Sequence, residues 1–218
     1  MASQLFSQFQ LGPIDLSNRI VVSPMCQYIA DQGKANDWHL MHYGNLSIGA
    51  GALLIFEATH VSPQGRITHE CLGLYDEETE NALQRVVSFC REYGQAKLGI
   101  QLAHAGRKGS AKTPMQGGAA LQANENPWET LAPSALAFAD GWHVPKSMTK
   151  EDLLKVKSEF VESAKRAVRL GFDVIELHAA HGYLLNQFTS PLSNHRTCLL
   201  YTSPSPRDAH ESRMPSSA

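Results

Sequence analysis

With 218 residues, of which 43% are hydrophobic and 18% charged, the chain has room for one sizeable core and the composition of a soluble globular protein. Nineteen Lys and Arg against 21 Asp and Glu leave a formal charge of -2, which excludes a broad cationic surface for nucleic acid or anionic lipid and points to a small-molecule partner. The longest apolar run, residues 49–56, is too short for a membrane span, residues 1–10 carry no signal-peptide pattern, and Cys26, Cys71, Cys90 and Cys198 stand singly, as free thiols of a cytoplasmic protein do.

Taken in chain order, short β-branched runs alternate with stretches of helical period. The first strand is expected over 19–23, a helix over 38–48, the second strand over 52–57, a helix over 76–93 and the third strand over 97–102. Residues 109–148, rich in Gly, Ala, Pro and Asn, are too long for an ordinary connection and read as an excursion with a small hairpin or capping role. The helix Lys150–Leu170 follows, with Thr149 and Asp152 as a variant capping box, Gly171 as its left-handed stop, and Leu153, Val156, Phe160, Ala164, Ala167 and Val168 on one face. The fourth strand is expected over 173–178.

Strand, helix, strand in repetition argues for a parallel sheet of the α/β class, of the (β/α)8 TIM-barrel type, in which all strand C-termini emerge on one face. Four polar clusters sit at those termini: Ser23-Pro24-Met25-Cys26, Glu57-Ala58-Thr59-His60, Gln101-Leu102-Ala103-His104 and His178-Ala179-Ala180-His181. They are expected to converge. A full barrel of this kind takes about 250 residues, so the chain reads as the first four βα units, residues 1–196, and 197–218, rich in Ser and Pro without an apolar face, as a tail outside the fold.

Five ordered motifs resemble the Old Yellow Enzyme family, in its bacterial cysteine-containing subclass: 18–28 around Ser23-Pro24-Met25-Cys26-Gln27-Tyr28, Glu57-Ala58, Pro63-Gln64-Gly65-Arg66-Ile67, 101–108 from Gln101 to Lys108, and His178-Ala179-Ala180-His181-Gly182-Tyr183. The resemblance implies an NAD(P)H-dependent ene-reductase that passes hydride through bound FMN to an activated alkene such as an α,β-unsaturated carbonyl compound. It implies that Ser23, Pro24, Met25 and Cys26 border the flavin ring, that Ala58 approaches its edge, and that Gln101 hydrogen-bonds its pyrimidine end, where an amide matches carbonyl and N–H groups together. By the same resemblance His178 and His181 hold the substrate oxygen, Tyr183 donates a proton to the α-carbon and Tyr28 adds a second phenol.

Two imidazole donors on one oxygen would act as an oxyanion hole does. A zinc site is the weaker reading of His178 and His181, because no adjacent Glu or third ligand accompanies them. Arg107 and Lys108 are expected in a solvated loop, and His104 as a satisfied interior histidine. The family also implies a homo-oligomer and phosphate-gripping loops after the seventh and eighth strands, so the 218-residue chain is expected to bind FMN poorly alone. Two alternatives stay open: a noncatalytic half-barrel that serves self-assembly, and the N-terminal part of a dienoyl-CoA reductase-like flavoenzyme.

Overall fold

The computed structural model describes residues 3–49 and 51–197, and its centre is a four-stranded parallel sheet. A short antiparallel pair, β1 (Phe9–Leu11) and β2 (Ile14–Leu16), precedes β3 (Val21–Val22). Then α1 (Asp37–Ile48), β4 (Leu53–His60), α2 (Glu77–Tyr93) and β5 (Lys97–Ala103) follow. The excursion contributes β6 (Leu131–Ala132) and β7 (Lys146–Ser147), and the chain continues through α3 (Lys150–Leu170), β8 (Val174–Leu177) and α4 (Leu184–Thr189). The sheet order is β3-β4-β5-β8, with a helix between each pair of neighbours, an arc of a β/α barrel.

Each long helix begins where a side chain can satisfy the first free amides. Asn36 accepts from Trp38 N at 3.1 Å, Asp76 from Thr79 N at 2.8 Å, and Thr149 from Asp152 N at 3.3 Å. At the far end of α3, Gly171 takes φ +88°, the left-handed stop expected from sequence. Alternation along the strands then sorts side chains by face. Leu54, Phe56, Leu98, Ile100 and Leu102 pack outward against Tyr43, Leu83, Val87, Ala167 and Phe172, with Tyr43 stacked on Phe56 at 3.8 Å between centroids. On the other face Leu53, Ile55 and Val174 meet Leu16 and Ile14, so the N-terminal pair closes the bottom of the arc.

Several expectations are corrected here. The first strand is two residues long because only Val21 and Val22 pair with β4. The excursion's small antiparallel contact joins Ala111 to Ala120, while its two named strands pair the other way: Leu131 and Ala132 run parallel with Lys146 and Ser147, and Arg196 Nη1 ties Pro133 O at 3.0 Å to Met148 O at 2.9 Å. Val168 is 66% exposed, because Ser163 and Leu170 rather than Val168 turn inward, Ser163 Oγ donating to Leu74 O at 2.9 Å. β3 and β8 are the sheet's edges, and Val156, Phe160, Leu177, Leu184 and Phe188 line an apolar cleft of about 380 Å³ beside β8. The expectation for 197–218, Cys198 included, falls outside the described residues except at Thr197.

Candidate functional site

The C-terminal ends of the four strands carry the predicted clusters to one rim. Ala58, Gln101 and Glu176 form a single row across β4, β5 and β8. Gln101 is 8% exposed and its Nε2 donates to Glu176 Oε1 at 2.7 Å. That bond fixes the amide and leaves its carbonyl and second N–H without another partner among the described residues. An oriented, nearly buried amide with open donor and acceptor suits the polar edge of a flat heterocycle.

Cys26 lies over this row. The Ala58 amide and the Tyr28 hydroxyl both sit against its thiol, yet burial, with Cys71 and Glu57 nearby, pushes the thiol well above its ordinary range. It is therefore a neutral thiol, free of any disulfide, like Cys71 and Cys90. Ser23 and Met25 are exposed on the rim and Pro24 is half-buried. Tyr28 holds a left-handed backbone at φ +52°, which turns its ring into a cluster with Ile67, Cys71, Ala105, Ala111 and Tyr183. The Cys26 and Tyr183 segments thus meet through Tyr28.

The third part is the turn after β8. His178 is buried; its N donates to Leu102 O at 2.9 Å and its Nδ1 accepts from Ala180 N at 3.3 Å. Burial, then His181, lower its pKa; Glu176 opposes them, and Lys108 adds the smallest lowering. With Nδ1 occupied as an acceptor, the neutral ring carries its proton on Nε2, an assignment made from hydrogen bonding. His181 at φ +56° and Gly182 at φ +71° bend the chain so that both imidazoles and Tyr183 gather: centroids lie 5.1 Å apart for His178 and His181 and 4.8 Å for His178 and Tyr183. Burial first, then Cys26 and Cys71, push the Tyr183 phenol up to about 12, so it stays protonated at neutral pH.

Four residues given no role by sequence contribute. Lys108 is no solvated side chain: Nζ donates to His181 O at 3.0 Å and lies 5.0 Å from the Tyr183 centroid and 4.8 Å from that of Phe138. Its neighbour Arg107 bonds Ala137 O at 3.2 Å instead of water alone. His104 is only half satisfied: Nδ1 accepts from Gly106 N at 3.1 Å while its buried Nε2 has no partner among the described residues. Glu57, 1% exposed, follows an apolar strand run, and that charge at the end of a buried strand was the one signal sequence offered. No group of three or more His, Cys, Asp or Glu among the described residues could hold a metal ion.

The NADH:flavin oxidoreductase / NADH oxidase family matches residues 4–209. The chain belongs to that family. It is 46% identical over 198 residues to an NADPH dehydrogenase of Geobacillus thermodenitrificans, covering 90% of this chain and 54% of the relative. An NADH:flavin oxidoreductase of Gibberella zeae is 44% identical over 200 residues, covering 90% and 48%. Among solved structures, Old Yellow Enzyme from Pichia sp. AKU4542 superimposes with a TM-score of 0.78 at 28% identity, over 94% of this chain and 53% of that one. Morphinone reductase gives 0.78 at 26% identity, over 94% and 55%. The chain of this family member spans about half the length of the curated relatives it matches. Its parallel arc corresponds to part of the barrel in those neighbours.

Proposed function

We propose that the protein is an FMN-dependent ene-reductase that uses NAD(P)H to reduce an activated alkene such as an α,β-unsaturated carbonyl compound. The observation that carries this reading is a neutral His178 with Nε2–H available, edge-on to the protonated Tyr183 and across the rim from the Cys26, Ala58 and Gln101 row. FMN, when bound, supplies the two-electron hydride chemistry. Ser23, Pro24, Met25 and Cys26 border its ring, Ala58 leaves room at the edge, and the Gln101 amide meets the polar end.

His178 and His181 bind the substrate oxygen and stabilise the negative charge that grows on it, as paired donors in an oxyanion hole do. Tyr183 holds the proton for the α-carbon at its phenol oxygen, and Tyr28 stands beside it. No helix among the described residues is long and apolar enough to cross a membrane. A cytoplasmic homo-oligomer acting on a small molecule is part of the same proposal.

The test joins residues 3–196 to the complementary half of the Geobacillus relative. Anaerobic NADPH should bleach bound flavin, and cyclohexenone should restore the colour. Bleaching that oxygen reverses and the enone does not would overturn the alkene assignment while leaving the flavin assignment standing.

A further inference from the structure

At Glu57 the β4–β5 register slips, Phe56 pairing with Ile100 and Ala58 with Gln101, so this residue is the extra one of a bulge. Its carboxylate points away from the rim into the core and is surrounded by donors. Tyr43 OH donates to Oε1 at 2.9 Å and accepts from Glu57 N at 3.0 Å, a reciprocal pair that locks the bulge to α1. The Gln27 amide donates to Oε2 at 3.1 Å. His39 borders the cage: its Nδ1 lies 3.1 Å from Asn36 N and 3.0 Å from Asn36 Oδ1, and its buried Nε2, which has no hydrogen-bond partner among the described residues, faces Oε1 at 3.6 Å.

A buried carboxylate costs several kcal/mol unless its lone pairs are met, and here the donors come from Tyr43 of α1 and from Gln27 in the segment after β3. Gln27 sits between Cys26, whose thiol lies on the Ala58 row, and Tyr28, whose φ of +52° needs an external hold.

We propose that Glu57 is the positioning residue of this site: by holding the Gln27 amide it fixes the Cys26 thiol and the Tyr28 phenol over the Ala58–Gln101 row. The consequence for a flavin rests on the function proposed above, but the hold itself is a property of the chain alone. A glutamine at 57 keeps an acceptor for the Gln27 amide and loses the charge. An alanine loses both.

The experiment therefore uses the full chain with Glu57→Gln and Glu57→Ala, reading backbone amide exchange by NMR and iodoacetamide labelling of each cysteine by mass spectrometry. In E57A the Gln27 amide should exchange at least about tenfold faster while Leu98 and Ile100 keep their rates; in E57Q it should stay within about threefold of the parent. Cys26 should label about three- to tenfold faster in E57Q, since a nearby negative charge disfavours the thiolate, with Cys90 unchanged as internal reference.

Unchanged Gln27 exchange in a folded E57A, or equal acceleration at Leu98, overturns the proposal. If E57A does not fold, E57Q decides: Cys26 labelling that keeps pace with Cys90 overturns it as well. An FMN titration of the parent chain joined as described above separates the two readings, because absent flavin binding with intact Gln27 and Cys26 effects sinks only the flavin.

Discussion

The His178 imidazole meets the Tyr183 phenol edge to face, with ring planes at 88° and centroids 4.8 Å apart. The imidazole is held by the Ala180 amide at Nδ1 while the His178 backbone amide is tied to Leu102 O, and the phenol is packed beside Tyr28 in an apolar cluster. One offers a donor for an oxygen and the other a proton held at high pKa, so their substitutions should separate binding from protonation.

In the flavin-loaded joined protein, His178→Ala should slow enone reduction about a hundredfold, the usual loss for one oxyanion donor, and should weaken enone binding. Tyr183→Phe keeps the ring in place and should chiefly slow reoxidation by the enone, leaving reduction by NADPH within about twofold. Stopped-flow measurement of both half-reactions checks this. An equal loss in both halves for Tyr183→Phe would remove its role as proton donor.

Stability should fall steeply in mild acid. Burial holds His39 at about 4, His60 at about 4 and His104 at about 3, below an ordinary 6.5, so below pH 6.5 the unfolded chain takes up protons that the folded one refuses. Glu57 acts the other way: burial raises it to about 7 from 4.5, so the folded chain binds its proton first and gains stability as pH falls through 7. From pH 7.5 to 5 each imidazole costs about 2 kcal/mol and the carboxyl offsets about 2, a net loss of about 4 kcal/mol. Urea unfolding at the two pH values measures it, and Glu57→Gln should enlarge the difference to about 6 kcal/mol.

Gln187 joins the turns after β5 and β8. It is 1% exposed; Nε2 donates to Gly182 O at 2.7 Å and Ala105 O at 3.2 Å, and Oε1 accepts from Arg107 N at 3.3 Å. Gln187→Leu has nearly the same volume and leaves the part-buried Gly182 O and Arg107 N without this partner, while Ala105 O keeps Lys108 N at 3.3 Å, so it should destabilise by about 1–3 kcal/mol in urea titration. A loss under about 1 kcal/mol would mean that water replaces the amide.

The sheet and its helices were legible because periodicity and caps report local backbone choices: Lys150–Leu170, Thr149 and Gly171 were placed to the residue. The rim was legible because polar residues at the ends of apolar strands have few other places to go, and Cys26, Ala58, Gln101, His178 and Tyr183 do meet through Tyr28 and the sheet row. What escaped depends on contacts far apart in sequence. The β1–β2 pair is defined by Leu16 packing on Ala52 and Leu53, and α4 is too short to show a period. The parallel β6–β7 pairing closes across 13 intervening residues with two rungs only, below any local pattern. Lys108 looked like a solvated loop residue because its partner, the His181 carbonyl, lies 73 positions on.

That lysine gives a last test. His181 sits at φ +56°, a conformation that costs a non-glycine residue about 1 kcal/mol or more and needs an outside hold. The Lys108 Nζ bond to its carbonyl provides one, and the Tyr183 and Phe138 rings shelter the ammonium, whose pKa burial, then Arg107, lowers. Lys108→Met keeps the apolar stem and removes the donor and the charge. It should cost about 1–2 kcal/mol of stability and speed amide exchange across the turn from His181 to Tyr183 while the β5 amides hold. Lys108→Arg, which keeps a donor and a cation over the rings, should recover most of the loss. Equal stability of the methionine and lysine forms, with unaltered exchange at Gly182, would show that the turn holds its shape without the ammonium.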